Sequence, residues 1–591
     1  MAEDRFNKNV VYQKFIEYTN APFTKALFTN KIQEFMKKGR KEGPLIEFFL
    51  GFANEHNIIP EPASFAEEKS DAKAEEFRLK GNTFFKYRKN VEAIEEYNKS
   101  ACYAVSKEKI SLAIANRSAV FFEMRMFREC LESIRMAREY GYPEQLKEKL
   151  DRREAKCKEE VEKQPPKGEY FEPKIDLPVN EKIPFVAKCL TLREDKTFGR
   201  HIVTKEKIPA GTIIAIEKPY CKILADKEIY LRCSNCTDDV SYLLFPCDSC
   251  THTMFCSKAC QEEAMRDFHA IECPITGALF KLLDMSLRIS FRLIIRAFLT
   301  FPDTETMAVA VMKIEREKKN VFSFDWRQEL TPEELFTPIN NMRTSDVFFN
   351  DYSSVTVLCF TLCIMEKLLK KGSPVFKQQY LPTREAEEFL KFYLFHKLPV
   401  NVANNNYLNG VMDSYGNQYN TMRGMACSPF FSLINHSCSP NVACIPSKGA
   451  AGVMSCIITL KTIPAGKQLF TSYEFTHFYS SRSQCVGRIW RTAITSSAKC
   501  VACIKNYPRY NILPSPNYAF LQCLFTVEDA RKCFVEVKDF LCKNGHKYPT
   551  VQLCIAEEEL KFYLSVMCGN ISLTIREKSR LMAQEYLPAE N

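Results

Sequence analysis

One short stretch, Cys233 to Cys273, constrains this chain more than any other. It places seven cysteines and one histidine in the spacing C-x2-C-x10-C-x2-C-x5-C-x3-C-x8-H-x3-C. The donors are Cys233, Cys236, Cys247, Cys250, Cys256, Cys260, His269 and Cys273. Eight such donors suit two tetrahedral zinc ions, four to each. A segment this short, with few large apolar residues, gains much of its fold stability from metal. No coordination position is left open, so the metals are structural rather than catalytic. The whole chain has 26 cysteines. In a cytosolic or nuclear protein, clustered cysteines read as metal ligands rather than disulfides.

At 591 residues the chain is too long for one core. Residues 1–69 read as an N-terminal helical segment, with patches such as Phe6, Val10, Tyr12 and Phe15, and Ile46, Phe49 and Leu50. Residues 70–163 are helical and self-similar: Gly81, Ala93 and Tyr97 recur as Ser118, Cys130 and Ile134, an offset of 37 residues. Small residues at those points let the helices of a hairpin touch. This resembles the tetratricopeptide repeat, whose period is ~34, with an insertion near Lys107. An unrelated pair of helical hairpins is the other reading. Residues 164–182, with Gln164-Pro165-Pro166-Lys167-Gly168, form a linker. Strand-like alternation fills 183–230 and returns in 401–477. Between them lie the cysteine module (233–273) and a helical insert (274–400). Residues 478–510 follow the second strand block, and 511–591 read as a C-terminal helical domain. The expected fold class is therefore α+β and multidomain, a strand fold split by a zinc finger and a helical insert.

The net charge is +10, from 82 Lys and Arg against 72 Asp and Glu. No basic block accompanies it, so no direct nucleic-acid contact is expected. The start carries acids and no apolar signal core. The densest apolar run, Val355 to Met365, is shorter than the ~20 residues that span a bilayer. A soluble monomer of the cytoplasm and nucleus, with no membrane contact, is the expectation.

The stretch FFSLINHSCSPNVACI holds a compact polar core, Asn435 to Asn441. Alone it reads as a turn between two strands. Three further features give it weight: Tyr473 in IPAGKQLFTSYEF, the element Gly199-Arg200-His201 followed by Val203, Ile208 and Gly211, and a finger set between the two strand blocks. Together these resemble the SET and MYND domain family of lysine methyltransferases, most of all its type with N-terminal tetratricopeptide repeats. The resemblance covers residues 70–505 well and the C-terminal helices loosely.

The resemblance implies an S-adenosylmethionine-dependent protein-lysine N-methyltransferase, acting on a histone or another protein. It implies that Asn435 and His436 hold the adenosine part of the cofactor, that Gly199, Arg200 and His201 close over it, and that Tyr473 both borders the cofactor and orients the amine. It assigns one zinc to Cys233, Cys236, Cys256 and Cys260 and the other to Cys247, Cys250, His269 and Cys273. It also implies partners: proline-rich or chromatin-regulatory proteins at the finger, and helical or peptide partners at the repeats. The chain departs from the family in the segment after Tyr473. There a C-x-C-x-x-C would join the motif cysteine around a third zinc. Cys438, Cys500 and Cys503 are present, but Ala498 stands at the first cysteine. Cys485, His477 or water completes that site, or no metal binds. The family's aromatic is absent near Ile494 and Ser496, and His201 stands where many members have glycine. A non-catalytic adaptor built on the same fold is the alternative function.

Overall fold

The repeat region is built from small residues at helix crossings. Helices α1 (Pro22–Lys37) and α2 (Glu42–Glu55) precede it. Helices α3 (Asp71–Lys86) and α4 (Asn90–Tyr103) form the first hairpin, and α5 (Lys107–Glu123) and α6 (Phe127–Glu139) the second. Ser70 and Ser106 cap α3 and α5 by accepting backbone N–H bonds. A Cβ on Gly81 would lie 2.6 Å from the Tyr97 ring, so that crossing needs glycine. In the second hairpin the Cys130 thiol donates to the Ser118 carbonyl at 3.1 Å. Only Ala104 to Ser106 join the two hairpins, so the extra length expected near Lys107 forms no protruding loop. The charged helix α7 (Lys147–Lys163) closes the stack.

This computed structural model describes residues 22–37, 41–163, 171–238, 242–343, 349, 352–404, 406–408, 423–449, 452–473, 500–508 and 527–569. The helical patch at Phe6 to Phe15, the linker residues 164–168, and His477, Cys485, Ile494, Ser496 and Ala498 lie outside them.

The strands make several small sheets. Strands β1 (Leu190–Asp195) and β2 (Gly199–Thr204) form an antiparallel hairpin. Strand β3 (Ile213–Glu217) pairs with a strand far along the chain. Strand β4 (Cys221–Leu224) leads into the finger, which holds the two-residue strands β5 (Phe245–Pro246) and β6 (Met254–Phe255) and helix α8 (Lys258–Ala264). The insert contributes α9 (Met285–Leu299), α10 (Thr304–Glu317), α11 (Pro332–Asn340), α12 (Tyr352–Lys367) and α13 (Arg384–Ala403). The chain returns in β7 (Asn406–Leu408), β8 (Gly424–Cys427), β9 (Asn435–His436), β10 (Val442–Gly449), β11 (Gly452–Thr459) and β12 (Phe470–Thr471). The sheet orders are β10-β11-β3 and β4-β8-β7, and β9 lies parallel to β12. Each half of the split strand fold therefore supplies strands that the other half completes. Helices α14 (Val527–Asn544) and α15 (Val551–Met567) pack on the outer face of the β10-β11-β3 sheet through Val537, Leu541, Leu560 and Leu564 against Ile213, Ile445 and Ile458.

The finger is a joint. One apolar core runs from Phe28 through the repeats (Ile94, Phe121), the finger (Leu244, Phe255) and the insert (Phe298, Leu394) to Met425 on β8. Arg117, fully buried on α5, donates to the Leu244 carbonyl of the finger at 2.7 Å and to Asn98 Oδ1 at 2.6 Å. Asn98 in turn donates to the Tyr230 carbonyl at 2.8 Å. On the opposite side the Lys222 ammonium of β4 reaches the carbonyls of Cys236 (3.1 Å) and Val453 (3.2 Å), and Val453 N–H donates to Cys236 at 3.0 Å.

Helix α12 runs longer than its densest apolar run suggested. A π-turn, Leu368–Gly372, extends it, and Tyr352–Gly372 is long and apolar enough to cross a membrane by length and composition. Its apolar window is 67% buried inside the protein, against α1, α2 and α13, which is the setting of a core helix.

Candidate active site and metal centres

The finger's donors fall into two groups of four. Cys233, Cys236, Cys256 and Cys260 form one; Cys247, Cys250, His269 and Cys273 form the other. In each group the ligand atoms lie within 4.8 Å of one another. The first and third donor pairs meet, as do the second and fourth, so the two sites interleave. A tetrahedron with Zn–S bonds of ~2.3 Å has S···S edges of ~3.8 Å. The thiol pairs Cys236–Cys256, Cys256–Cys260 and Cys247–Cys273 lie 3.7, 3.5 and 3.8 Å apart, and His269 Nε2 lies 3.3 Å from Cys247 Sγ. The donor set and its spacing both fit zinc. His269 reaches its site at the end of a π-turn, Met265–His269, which continues α8. A π-turn adds one residue to the helical turn and so re-aims the residues after it.

A third group, Cys438, Cys500 and Cys503, is buried and also within 4.8 Å, with Cys438 and Cys503 at 3.8 Å. Contact with the Cys438 thiol, helped by backbone N–H groups, holds Cys500 down to about 4, the thiolate form that a metal requires. Three donors are present among the described residues; Ala498 lies outside them.

The strand core brings three distant segments together. Asn435 on β9 donates from its amide to the Phe198 carbonyl at 2.9 Å, which ties the turn before Gly199 to the polar motif. Gly199 has φ +62, and among the described residues a Cβ there would meet nothing within 4 Å, so they leave open space beside this turn. The Tyr473 N–H donates to His436 Nδ1 at 3.0 Å. That bond fixes the imidazole as the Nε2–H tautomer, with Nε2 3.4 Å from Cys438 Sγ. Burial holds His436 down to about 4, so the ring is neutral at pH 7. The Tyr473 hydroxyl donates to the Ile434 carbonyl at 3.1 Å, and burial raises it well above the ordinary phenol range. It therefore stays a neutral O–H.

Arg200 and His201 turn elsewhere. Arg200 donates to the Asn341 carbonyl behind α11 at 2.8 Å. His201 is 5% exposed and donates to the Gly199 carbonyl at 2.9 Å. Their side chains brace the turn, while the backbone at Gly199 borders the open space.

Two groups escaped the sequence reading. Glu217, the last residue of β3, accepts from the backbone N–H of Phe430 (2.7 Å) and Phe431 (3.1 Å). Its signal is positional: Ala215 and Glu217, two residues apart on β3, share the inward face, and an acid at a buried phase is unusual. Lys461 donates to Ser439 Oγ at 2.6 Å, lies 3.5 Å from Glu557 of α15 and sits over the Tyr548 ring. That link joins the C-terminal helices to the motif, and no local pattern announces it.

The SET domain family model matches residues 199–474. The chain is 28% identical over 253 residues to the Protein-lysine N-methyltransferase SMYD4 of Danio rerio, covering 39% of this chain and 33% of that protein. It is 22% identical over 542 residues to the protein of the same name from Gallus gallus, covering 72% and 71%. It is also 22% identical over 275 residues to that of Homo sapiens, covering 35% and 34%. The match thus spans about a third of the length of the Danio rerio and Homo sapiens relatives.

Proposed function

We propose that this chain, a SET-domain protein of the SET and MYND type, transfers a methyl group from S-adenosylmethionine to the side-chain amine of a protein lysine. The observation that carries the reading is the convergence of Phe198–Gly199, Ile434–His436 and Tyr473 on one place, held by the Asn435, His436 and Tyr473 hydrogen bonds. The open space beside Gly199 and the amide and backbone groups of the motif fit a nucleoside ligand. Asn435, His436 and the Gly199 backbone would hold it. When bound, S-adenosylmethionine supplies an electrophilic methyl group.

The chain's own residues do the rest. Asn435 and the Gly199 turn fix one wall of the site, so that donor and acceptor meet in line. Tyr473 directs its proton to the Ile434 carbonyl and leaves its oxygen lone pairs for an incoming ammonium N–H. That contact orients the amine, which must shed a proton before it attacks. Neutral His436 holds the Tyr473 backbone and so the ring's position. The two finger zincs are structural, and the third site, if filled, braces Cys438 beside His436.

Titration calorimetry on the zinc-loaded full chain tests this. Micromolar binding of S-adenosylmethionine, lost on Asn435→Ala, is expected. Tyr473→Phe is expected to keep that binding while slowing methyl transfer by about 100-fold or more, the scale of losing one aligned polar group at a reacting centre. A folded, zinc-loaded protein that does not bind S-adenosylmethionine would overturn the reading. It would favour the adaptor, to which the missing cysteine at Ala498 already points. In either case we place the protein in cytoplasm and nucleus, with proline-rich or chromatin-regulatory partners at the finger and peptide partners at the repeats.

A further inference from the structure

We infer that Glu217 is a positioning residue for the cofactor site, acting through a two-oxygen carboxyl fork that holds the start of the motif loop. This rests on the function proposed above. Glu217 is 2% exposed, and among the described residues no cation pairs with it. Each of its oxygens takes one consecutive backbone N–H, from Phe430 and Phe431. Those are leading N–H groups of the short 3-10 turn Phe431–Leu433, which have no partner within the turn. The turn is wound tight after them: Ser432 N–H returns to Ser428, Leu433 to Phe430 and Ile434 to Phe431. Ile434 then presents the carbonyl that receives the Tyr473 hydroxyl, and Asn435 and His436 follow at once. The fork is therefore one rigid turn away from every contact that defines the site.

The surroundings explain why a carboxyl group stands there. Phe430 and Phe431 are themselves core residues, packed with Ile202, Ile214 and Leu469. The turn must bury its backbone in an apolar setting, where a lone N–H is costly. An acceptor with two oxygens gives each of the adjacent N–H groups its own partner. Burial pushes the Glu217 carboxyl up to about 8, opposed by the two N–H bonds. The titratable groups facing it are the thiols of Cys427 on β8 and Cys444 on β10. Neither supplies a countercharge. A glutamine keeps the size but turns an N–H2 towards one of the two N–H groups, so half of the fork is lost. An aspartate keeps both oxygens and falls short by one methylene.

The test uses the zinc-loaded full chain as wild type, Glu217→Gln and Glu217→Asp. Calorimetry with S-adenosylmethionine, thermal unfolding and hydrogen exchange of the peptide spanning 428–437 are read together. The expected result is a tenfold or greater loss of affinity in Glu217→Gln and a smaller loss in Glu217→Asp. Exchange should be at least tenfold faster in that peptide alone, and the unfolding midpoint should not fall in parallel. Affinity within twofold of wild type, or a loss matched by general destabilisation, would overturn the inference. Should Glu217→Gln fail to fold, exchange in the wild type decides. Amides of 430 and 431 protected as strongly as those of β11 support the fork, and exchange at the rate of exposed amides overturns it. A wild type that does not bind S-adenosylmethionine is a different failure: it removes the function proposed above, and this inference falls with it.

Discussion

Gly452→Ala should detach the strand core from the finger. Gly452 opens β11 with φ +86, a left-handed conformation that costs a non-glycine residue about 1–2 kcal/mol. An added Cβ would lie 2.5 Å from both the Cβ and the carbonyl oxygen of Cys236. Neither atom can step aside, because the Cys236 carbonyl is held by Val453 N–H and Lys222 Nζ and its thiol faces the first donor group. Relieving that overlap costs a further ~1–3 kcal/mol. The sum, roughly 2–5 kcal/mol, is on the scale of what the hydrogen bonds from Val453 N–H and Lys222 return, so the hold of the β10–β11 hairpin tip on the finger is largely cancelled. The assay is zinc release to a chromophoric chelator, alongside urea unfolding. Expected are faster release of one zinc of the finger's two and a lower unfolding midpoint. Unchanged release kinetics and an unchanged midpoint would refute the claim that finger and strand core brace each other at Cys236.

Three further outcomes follow from the same structure. Glu559 is 3% exposed, neither oxygen is hydrogen-bonded among the described residues, and burial pushes its carboxyl up to about 8. The folded state thus holds a proton that the unfolded state loses, and stability falls as pH rises from about 4.5 to 8, by up to ~1.4 kcal/mol per pH unit. Glu559→Gln should match wild type near pH 4.5 and exceed it by up to ~3 kcal/mol at pH 7 in urea titrations; an equal difference at both pH values would contradict this. Arg117→Ala leaves the Leu244 carbonyl and Asn98 Oδ1 without their buried donor, costing roughly 2–4 kcal/mol. Limited proteolysis should then cut the repeat region free of the finger, and an unaltered digestion pattern would count against the joint. Cys438→Ser should reduce bound zinc by one equivalent if the third group is a metal site, while two equivalents in both proteins would show that it is not.

The finger and the motif were legible because their chemistry demands fixed residue types at short range. Zinc accepts few donors and fixes their spacing, so eight residues gave both sites away. Asn435, His436 and Tyr473 were legible as a set, by resemblance. What the sequence did not disclose is chemistry made by tertiary pairing. Glu217 meets its N–H partners 213 residues later, and Lys461 meets Glu557 96 residues later. Neither pairing leaves a local pattern beyond a charge at an inward phase. The resemblance puts Gly199, Arg200 and His201 in the loop that closes over the cofactor; which carbonyls the Arg200 and His201 side chains bond, those of Asn341 and Gly199, is set by tertiary structure that no local pattern encodes. Helix α12 reads short because Glu366 and Lys367 end its apolar run at Met365, before the π-turn Leu368–Gly372 that lengthens it.

The split strand fold also sets a schedule for synthesis. Strand β3 pairs with β11 at Ser455 to Ile458, about 240 residues further along. At ~5–20 residues per second a ribosome delivers that partner only about 12–48 s after β3 emerges. Through that interval Ile213, Ile214, Ala215 and Ile216 lack their strand neighbour, an apolar edge of the kind that recruits other chains. The finger is complete about 3–11 s after β3, and zinc capture can fold it early. The nascent chain thus carries a finished metal module beside an unfinished sheet, and the unfinished sheet is where a holding chaperone is needed.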